Sequence, residues 1–598
     1  MAGPMRGGPP GSEKTMKAKN FKASFKRLLK EMSIIKWQTI VVLILTVASV
    51  VLAIVTPKIT EKAITELFKP LMGLSVDLSF VARVLINAGL LYLLSTIFNV
   101  ISKYIMGGAS QKIVYNMRKK VRTKIDSVPL KFYDTNSTGD LISRVTNDLD
   151  NIGSSLNQTI TQVISSILTV IGVVIMMFSI NFWLTIISLV TLPLSVFLAG
   201  FVMKHSQKQF AMQAKNLGAL SGQVEETFSA EQIVKAFNKE EDELARFKKI
   251  NEDLAISAKK ANFFSGLIFP LITFVNNFGY VAISIVACIF IANGDLNPGY
   301  LMVFLQYSQQ LTQPIAQMAQ LTNTLQTLMA SSERIFEVLD AEEEVKDDAT
   351  STVLSSVSGQ VDFEGVKFGY APNKILMNDI NLHTKTGQTI AIVGPTGAGK
   401  TTIVNLIMRF YELNGGKIKI DNKDITSLTR ASLRQNIGMV LQDTWLFNGT
   451  IKDNIAYGKK DATMEEIIAA SELAQAHHFI ETLPDGYNTI INEEASNISE
   501  GQKQLLTIAR VILSSPKILI LDEATSSVDT RTEIQLQKGI NNLMKDRTSF
   551  VIAHRLSTIK DADNILVMQH GDIVEQGNHE ELLNKKGAYF ELYNSQFA

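Results

Sequence analysis

Long apolar runs fill the first half of this 598-residue chain, and short apolar runs broken by turn residues fill the second. A helix needs about 20 residues to cross the ~30 Å apolar slab of a bilayer. Six stretches qualify, near 37–56, 80–106, 161–180, 182–203, 263–293 and 300–325, with Asn181 marking a tight turn between the third and fourth. From about Val353 the pattern becomes short apolar strands alternating with amphipathic helices, the pattern of a soluble α/β domain. The pattern thus predicts six transmembrane helices with long cytoplasmic extensions, fused to an α/β domain.

Other positions refine that frame. Residues 1–13, with Gly7-Gly8-Pro9-Pro10-Gly11, read as a disordered leader. Segment 14–36 carries eight Lys or Arg with Phe21, Phe25, Leu28, Leu29 and Met32 at helical spacing. It reads as an amphipathic basic helix on the inner membrane surface, or as a solvated basic helix. Segments 111–155 and 204–262 are long and basic, including Arg118, Lys119, Lys120, Lys204, Lys208 and Lys248. The positive-inside rule places both, with both chain ends, in the cytoplasm, and six spans satisfy this. Within these loops, 132–141 and 226–237 interrupt the helical pattern; each is a transverse helix at a hairpin tip or a solvated turn.

In the sixth span Gln306, Gln310, Gln313, Gln317 and Gln320 recur every three or four residues, with Pro314 among them. Amides facing lipid would be costly, so this face lines a water-filled cavity or forms hydrogen bonds between helices. Asn276 and Asn277 invite the same two readings. The spanning domain is therefore 37–335, followed by an acidic linker over 336–352 and a soluble domain over 353–598. A net charge of +1 gives no general case for nucleic-acid binding. The lone Cys288 excludes an intrachain disulfide framework and, by itself, a cysteine metal site.

The candidate chemistry lies in the soluble domain. Gly394-Pro395-Thr396-Gly397-Ala398-Gly399-Lys400-Thr401-Thr402 stands between an apolar strand and a helix, the arrangement of a P-loop nucleotide-binding domain. Glycines let backbone N–H groups turn toward phosphate oxygens, Lys400 supplies charge for the β/γ-phosphates, and Thr401 can bind Mg²⁺. The strand 517–521 ends in Asp522 and Glu523. Asp522 can hold Mg²⁺ through water, and Glu523 can orient or deprotonate the attacking water. His554 closes another strand and can reach the γ-phosphate, against an ordinary structural histidine. Gln442 holds a similar strand-end position and reads as a ligand for Mg²⁺ or water, or as a polar loop residue. Tyr370 is a stacking platform for adenine or a strand-end tyrosine.

Six spans, the glycine loop, Gln442, Ile498-Ser499-Glu500-Gly501-Gln502, the strand ending at Glu523, Ser526-Ser527-Val528-Asp529 and His554 together resemble an ATP-binding cassette exporter half-transporter of the multidrug and lipid type. The resemblance covers about residues 15–595. It implies ATP and Mg²⁺ as cofactors, Tyr370 as the adenine platform, Gln442 at the head of the loop that senses the membrane domain, and His554 as the switch histidine. It also implies that Asp529 closes a loop linking two nucleotide sites, and that 132–141 and 229–237 are coupling helices. Ser499, Gly501 and Gln502 would close over ATP held by a second subunit.

One departure stands out: the family signature is usually Leu-Ser-Gly-Gly-Gln, and here Glu500 replaces a glycine. Segment 492–495 also departs from the usual glycine-containing pattern. A carboxylate facing a polyanion should weaken that site. The expectation is a heterodimer with a different half-transporter that carries a regular signature, with one hydrolytic and one degenerate ATP site. It would sit in a bacterial inner membrane, cassette inside, exporting amphipathic small molecules by alternating access in contact with membrane lipids. The alternatives are a homodimeric lipid or peptide exporter and, from another class, a nucleotide-gated channel or regulator.

Overall fold

The computed structural model describes residues 20–72, 75–371, 374–442, 444–492, 497–522, 529–553 and 559–596. Glu523, His554, the 526–528 stretch and the leader 1–13 lie outside the described residues. The chain forms two compact units, one comprising 1–127 with 136–341 and the other Val128–Thr135 with Glu342–Ala598.

The first unit is helical. Phe21–Met32 passes through a short turn into Lys36–Phe68, followed by Leu78–Ile125. After Thr138–Ser143 and a wide turn at Arg144–Asp148 come Leu149–Phe178, Phe182–Ser229, Glu231–Ala236, Glu240–Gly266, Ile268–Ala292 and Pro298–Leu339. Five helical segments among the described residues are long and apolar enough to cross a membrane. The sixth expected span lies inside the continuous 42-residue helix Pro298–Leu339 but is not among the five, because its glutamines dilute the apolar run. A 48-residue helix such as Leu78–Ile125 rises about 72 Å, more than twice the bilayer core. The basic stretches therefore continue the spans as helix. Asn181 stands just after the helix that ends at Phe178 and caps the next, accepting the Leu184 N–H at 3.1 Å.

Several polar contacts join these helices. Ser49 and Ser95 each donate to the other's carbonyl at 2.8 Å, and Thr46 meets Ser102 at 3.0 Å, which small side chains permit. The buried Tyr307 hydroxyl donates to the Ile54 carbonyl at 2.8 Å. Within the glutamine face, Gln306 donates to the Tyr92 hydroxyl at 3.0 Å and Gln162 donates to Gln317. For those two amides the structure supports the interhelical reading. Thr312 likewise donates to Asn276 at 3.3 Å. The basic N-terminal helix is packed rather than fully solvated: Leu28 is buried, Arg27 lies 4.3 Å from the Phe336 ring centre, and Glu31 pairs with Lys120 at 2.7 Å.

The second unit holds a six-stranded sheet, in the order Asp572–Gly577, Asn564–Gln569, Thr389–Val393, Thr548–Ile552, Ile518–Asp522, Ile437–Val440. Only the Asp572–Gly577 edge is antiparallel. Thr548–Ile552 is buried throughout and Ile518–Asp522 nearly so, in keeping with the apolar runs Phe550–Ile552 and Ile518–Leu521 inside them. A second, antiparallel sheet pairs Val361–Phe368 with Met377–His383 and with Gly415–Ile420.

The acidic linker is fastened to this unit. Arg430, buried, pairs with Asp347 at 2.7 Å, Glu412 at 2.6 Å and Glu344 at 3.3 Å, while Arg434 takes Glu344 at 2.7 Å. Three carboxylates thus share one guanidinium, a geometry its planar fork suits and an ammonium cannot copy. Arg430→Ala is expected to cost about 2 kcal/mol, discounted because the carboxylates are partly exposed. Denaturation followed at Trp445 reads this as a lower midpoint, with Arg430→Lys recovering less than half; an unchanged midpoint would show that the cluster contributes nothing to stability.

Candidate functional site

The site is assembled at one end of the parallel sheet, where strands deliver their C-terminal residues. Ile392 and Asp522 both register with Ile552, so the phosphate loop and Asp522 leave the sheet at the same level on either side of Thr548–Ile552. Val440 pairs with Leu521, which brings exposed Gln442 to this same edge two residues later. Glu523 and His554 follow directly on Asp522 and Ala553 in sequence.

The loop itself depends on three glycines with positive φ: Gly394 at +151°, Gly397 at +81° and Gly399 at +101°. A Cβ on Gly394 would stand 2.3 Å from the Met568 carbonyl oxygen, so space as well as backbone angle demands glycine there. Gly399 caps the helix Lys400–Ile407, whose apolar face, including Ile403, Leu406 and Ile407, anchors it in the core. The free N–H groups of that helix start supply the partial positive charge that an anion needs. Lys400 folds back on the loop, donating to the Gly394 carbonyl at 2.8 Å and the Pro395 carbonyl at 3.2 Å. Burial pulls its ammonium below the usual lysine range, opposed by the charge of Asp522. A partly desolvated cation held by neutral carbonyls is ready to exchange them for phosphate oxygens.

Tyr370 is fixed beside the loop. Its hydroxyl lies 3.0 Å from the Thr402 hydroxyl, and its ring meets Phe368 and Tyr411 edge-on at 5.0 and 5.1 Å. The residue stays 44% exposed, leaving surface on which a flat heterocycle could stack. Tyr411 also donates to Asp134 of the short helix Leu130–Thr135, which belongs to this unit. Neither Tyr411 nor its link to Asp134 was legible in the chain, because the two lie 277 residues apart.

The Ser499–Gln502 stretch opens the helix Glu500–Ser514 and is satisfied locally. Gln502 accepts the Ser499 N–H at 2.9 Å while Ser499 accepts the Gln502 N–H at 3.3 Å, a reciprocal cap. Glu500 accepts a 2.6 Å hydrogen bond from Thr444 and pairs with Lys503 at 3.2 Å. The Thr444 bond, more than Lys503, holds its carboxyl below the usual glutamate range. This stretch is therefore tied to the loop after Gln442 rather than to its own phosphate loop. Asp529 caps Thr530–Met544, accepting from the N–H groups of Arg531 and Thr532 at 3.1 and 3.0 Å. Thr401, Gln442 and Asp522 offer hydroxyl, amide and carboxylate oxygens, hard donors that suit Mg²⁺.

Comparison with known proteins agrees with this geometry. Residues 39–315 match the ABC transporter transmembrane region and residues 377–526 match the ABC transporter model. The chain is 41% identical to a fatty acid ABC transporter ATP-binding/permease protein of Mycobacterium bovis, over 99% of both chains. It is 37% identical to an ATP-dependent lipid A-core flippase of Syntrophus aciditrophicus, over 85% of this chain and 84% of that one. A solved bacterial Atm1-family ABC exporter with ATP bound superposes with a TM-score of 0.72 at 28% identity, covering 94% of this chain and 97% of that one. With a helical membrane region and an ATP-binding domain fused in one polypeptide, the chain belongs to the ABC transporter family and couples ATP hydrolysis to transport across a membrane.

Proposed function

We propose that this chain is one half of a dimeric, ATP-driven exporter of amphipathic molecules, set in a bacterial inner membrane with its termini and cassette in the cytoplasm. The observation that carries the reading is the loop 394–399 at the sheet edge, with Lys400 curled over it and Asp522 alongside. In this reading Tyr370 stacks on adenine, and the amides of Gly394, Thr396, Gly397, Ala398, Gly399, Lys400, Thr401 and Thr402 take the phosphates. Thr401, Gln442 and Asp522 would hold Mg²⁺, which offsets phosphate charge when bound. Glu523 directs the attacking water and His554 the γ-phosphate. Ser499, Gly501 and Gln502 serve nucleotide bound to the other subunit, and Asp529 ends the loop between the sites. ATP held between two cassettes favours the closed, outward-facing arrangement by differential binding, and hydrolysis releases it.

The relatives' names, one a fatty acid transporter and one a lipid A-core flippase, favour acylated lipids over drugs within the amphipathic class. Pairing with a different chain rests on Glu500, an acid in place of a signature glycine, which would leave that site mainly nucleotide-holding. A homodimer is the second reading, and one observation favours it: Thr444 and Lys503 already engage that carboxylate.

Two measurements test this. Glu523→Gln should lower turnover by about 100-fold or more while ATP still binds, and Lys400→Ala should weaken ATP binding by about tenfold or more; wild-type turnover in the first, or wild-type binding in the second, would remove the assignment. The chain purified alone should hydrolyse ATP at under about a tenth of the rate of the assembled pair, since losing transition-state donors costs that much or more. Full turnover by the chain alone would establish the homodimer.

A further inference from the structure

Glu500 opens its helix, where the free N–H groups attract negative charge. A mobile carboxylate there would both repel a polyphosphate and compete with it for the same helix dipole. The structure gives it other partners. Lys503 lies one turn further along the same helix and pairs with Glu500 at 3.2 Å, drawing the carboxylate back along the helix rather than out over its end. Thr444, two residues beyond Gln442 and 56 residues away in sequence, donates to the other carboxylate oxygen at 2.6 Å. The glutamate is 47% exposed, so without these contacts it would sample the helix end freely, whereas Lys503 is only 17% exposed and well placed to stay.

We propose that Thr444 and Lys503 form a clip that holds the Glu500 carboxylate off the nucleotide-facing end of its helix, so that a signature carrying an acid still accepts a triphosphate. Thr444 and Lys503 are positioning residues acting through Glu500. Because Thr444 belongs to the loop headed by Gln442, the clip also makes that loop and the signature helix move together. The inference rests on the dimeric reading, in which Ser499 and Gly501 meet a nucleotide held by the other subunit.

The test is a double-mutant cycle on the full-length assembled exporter in lipid nanodiscs, with MANT-ATP as probe and the slowly dissociating nucleotide fraction as readout. Thr444→Val should raise the MANT-ATP concentration for half-occupancy of that fraction by about fivefold or more, as expected for a lost charge-assisted hydrogen bond. In the Glu500→Gly background the same change should shift it by less than about twofold, because no charge remains to restrain. Thr444→Ser, which keeps the hydroxyl, should behave as wild type, and Lys503→Met should repeat the Thr444→Val pattern if the valine variant does not fold. An equal shift in both backgrounds, or no shift with Glu500 present, overturns the clip alone. A wild-type assembly with no slowly dissociating fraction overturns the clip and the dimeric reading together.

Discussion

A phosphate loop works only if backbone N–H groups can point inward around oxygens, and this chain meets that demand with positive φ at Gly394, Gly397 and Gly399. The rest of the cassette follows from holding that conformation in place. The strand Thr389–Val393 is buried between two parallel neighbours, and the helix Lys400–Ile407 is anchored by its apolar face. The Met568 carbonyl then closes so near Gly394 that no side chain fits. Strands on one side bring Asp522 and Gln442 to the same edge because a parallel sheet aligns C-terminal ends. One rigid loop thus organises residues that are far apart in the chain.

Electrostatics organises what surrounds it. Lys400 is already partly stripped of water and rests on two carbonyls, so exchanging them for phosphate needs little rearrangement. Arg430 and Arg434 gather Glu344, Asp347 and Glu412, fixing the linker to the domain that handles ATP. Tyr411 touches Tyr370 on one side and Asp134 on the other. A change at Tyr370 would therefore be felt in the short helix Leu130–Thr135 through two contacts.

How much of this could be read from the chain depends on the range of the interaction. The phosphate loop, the strand leading to Asp522 and the Asn181 turn are local patterns, and the sequence displays each with its flanking elements. The long helices were visible because apolar length is a property of the chain itself. In the sixth, Gln306 and its neighbours mix a polar face into an apolar run, and the partners of Gln306 and Gln317 lie on other helices that no local pattern names. Glu500 stood out at once as an acid where glycine is usual, but its partner Thr444 could not be found without the tertiary fold. The Arg430 cluster spans 83 residues to Asp347, and nothing local announces it. Glu523 and His554 remain assignments from sequence.

In the proposed function, ATP hydrolysis in this chain's assembly drives an amphipathic molecule across the membrane. The direct test is accumulation of a fluorescent long-chain fatty acid inside inverted proteoliposomes holding the full-length exporter. Uptake is expected with Mg²⁺-ATP and is lost with a non-hydrolysable analogue and with Lys400→Ala. Flux that proceeds equally with the analogue would contradict it and identify a nucleotide-gated path instead.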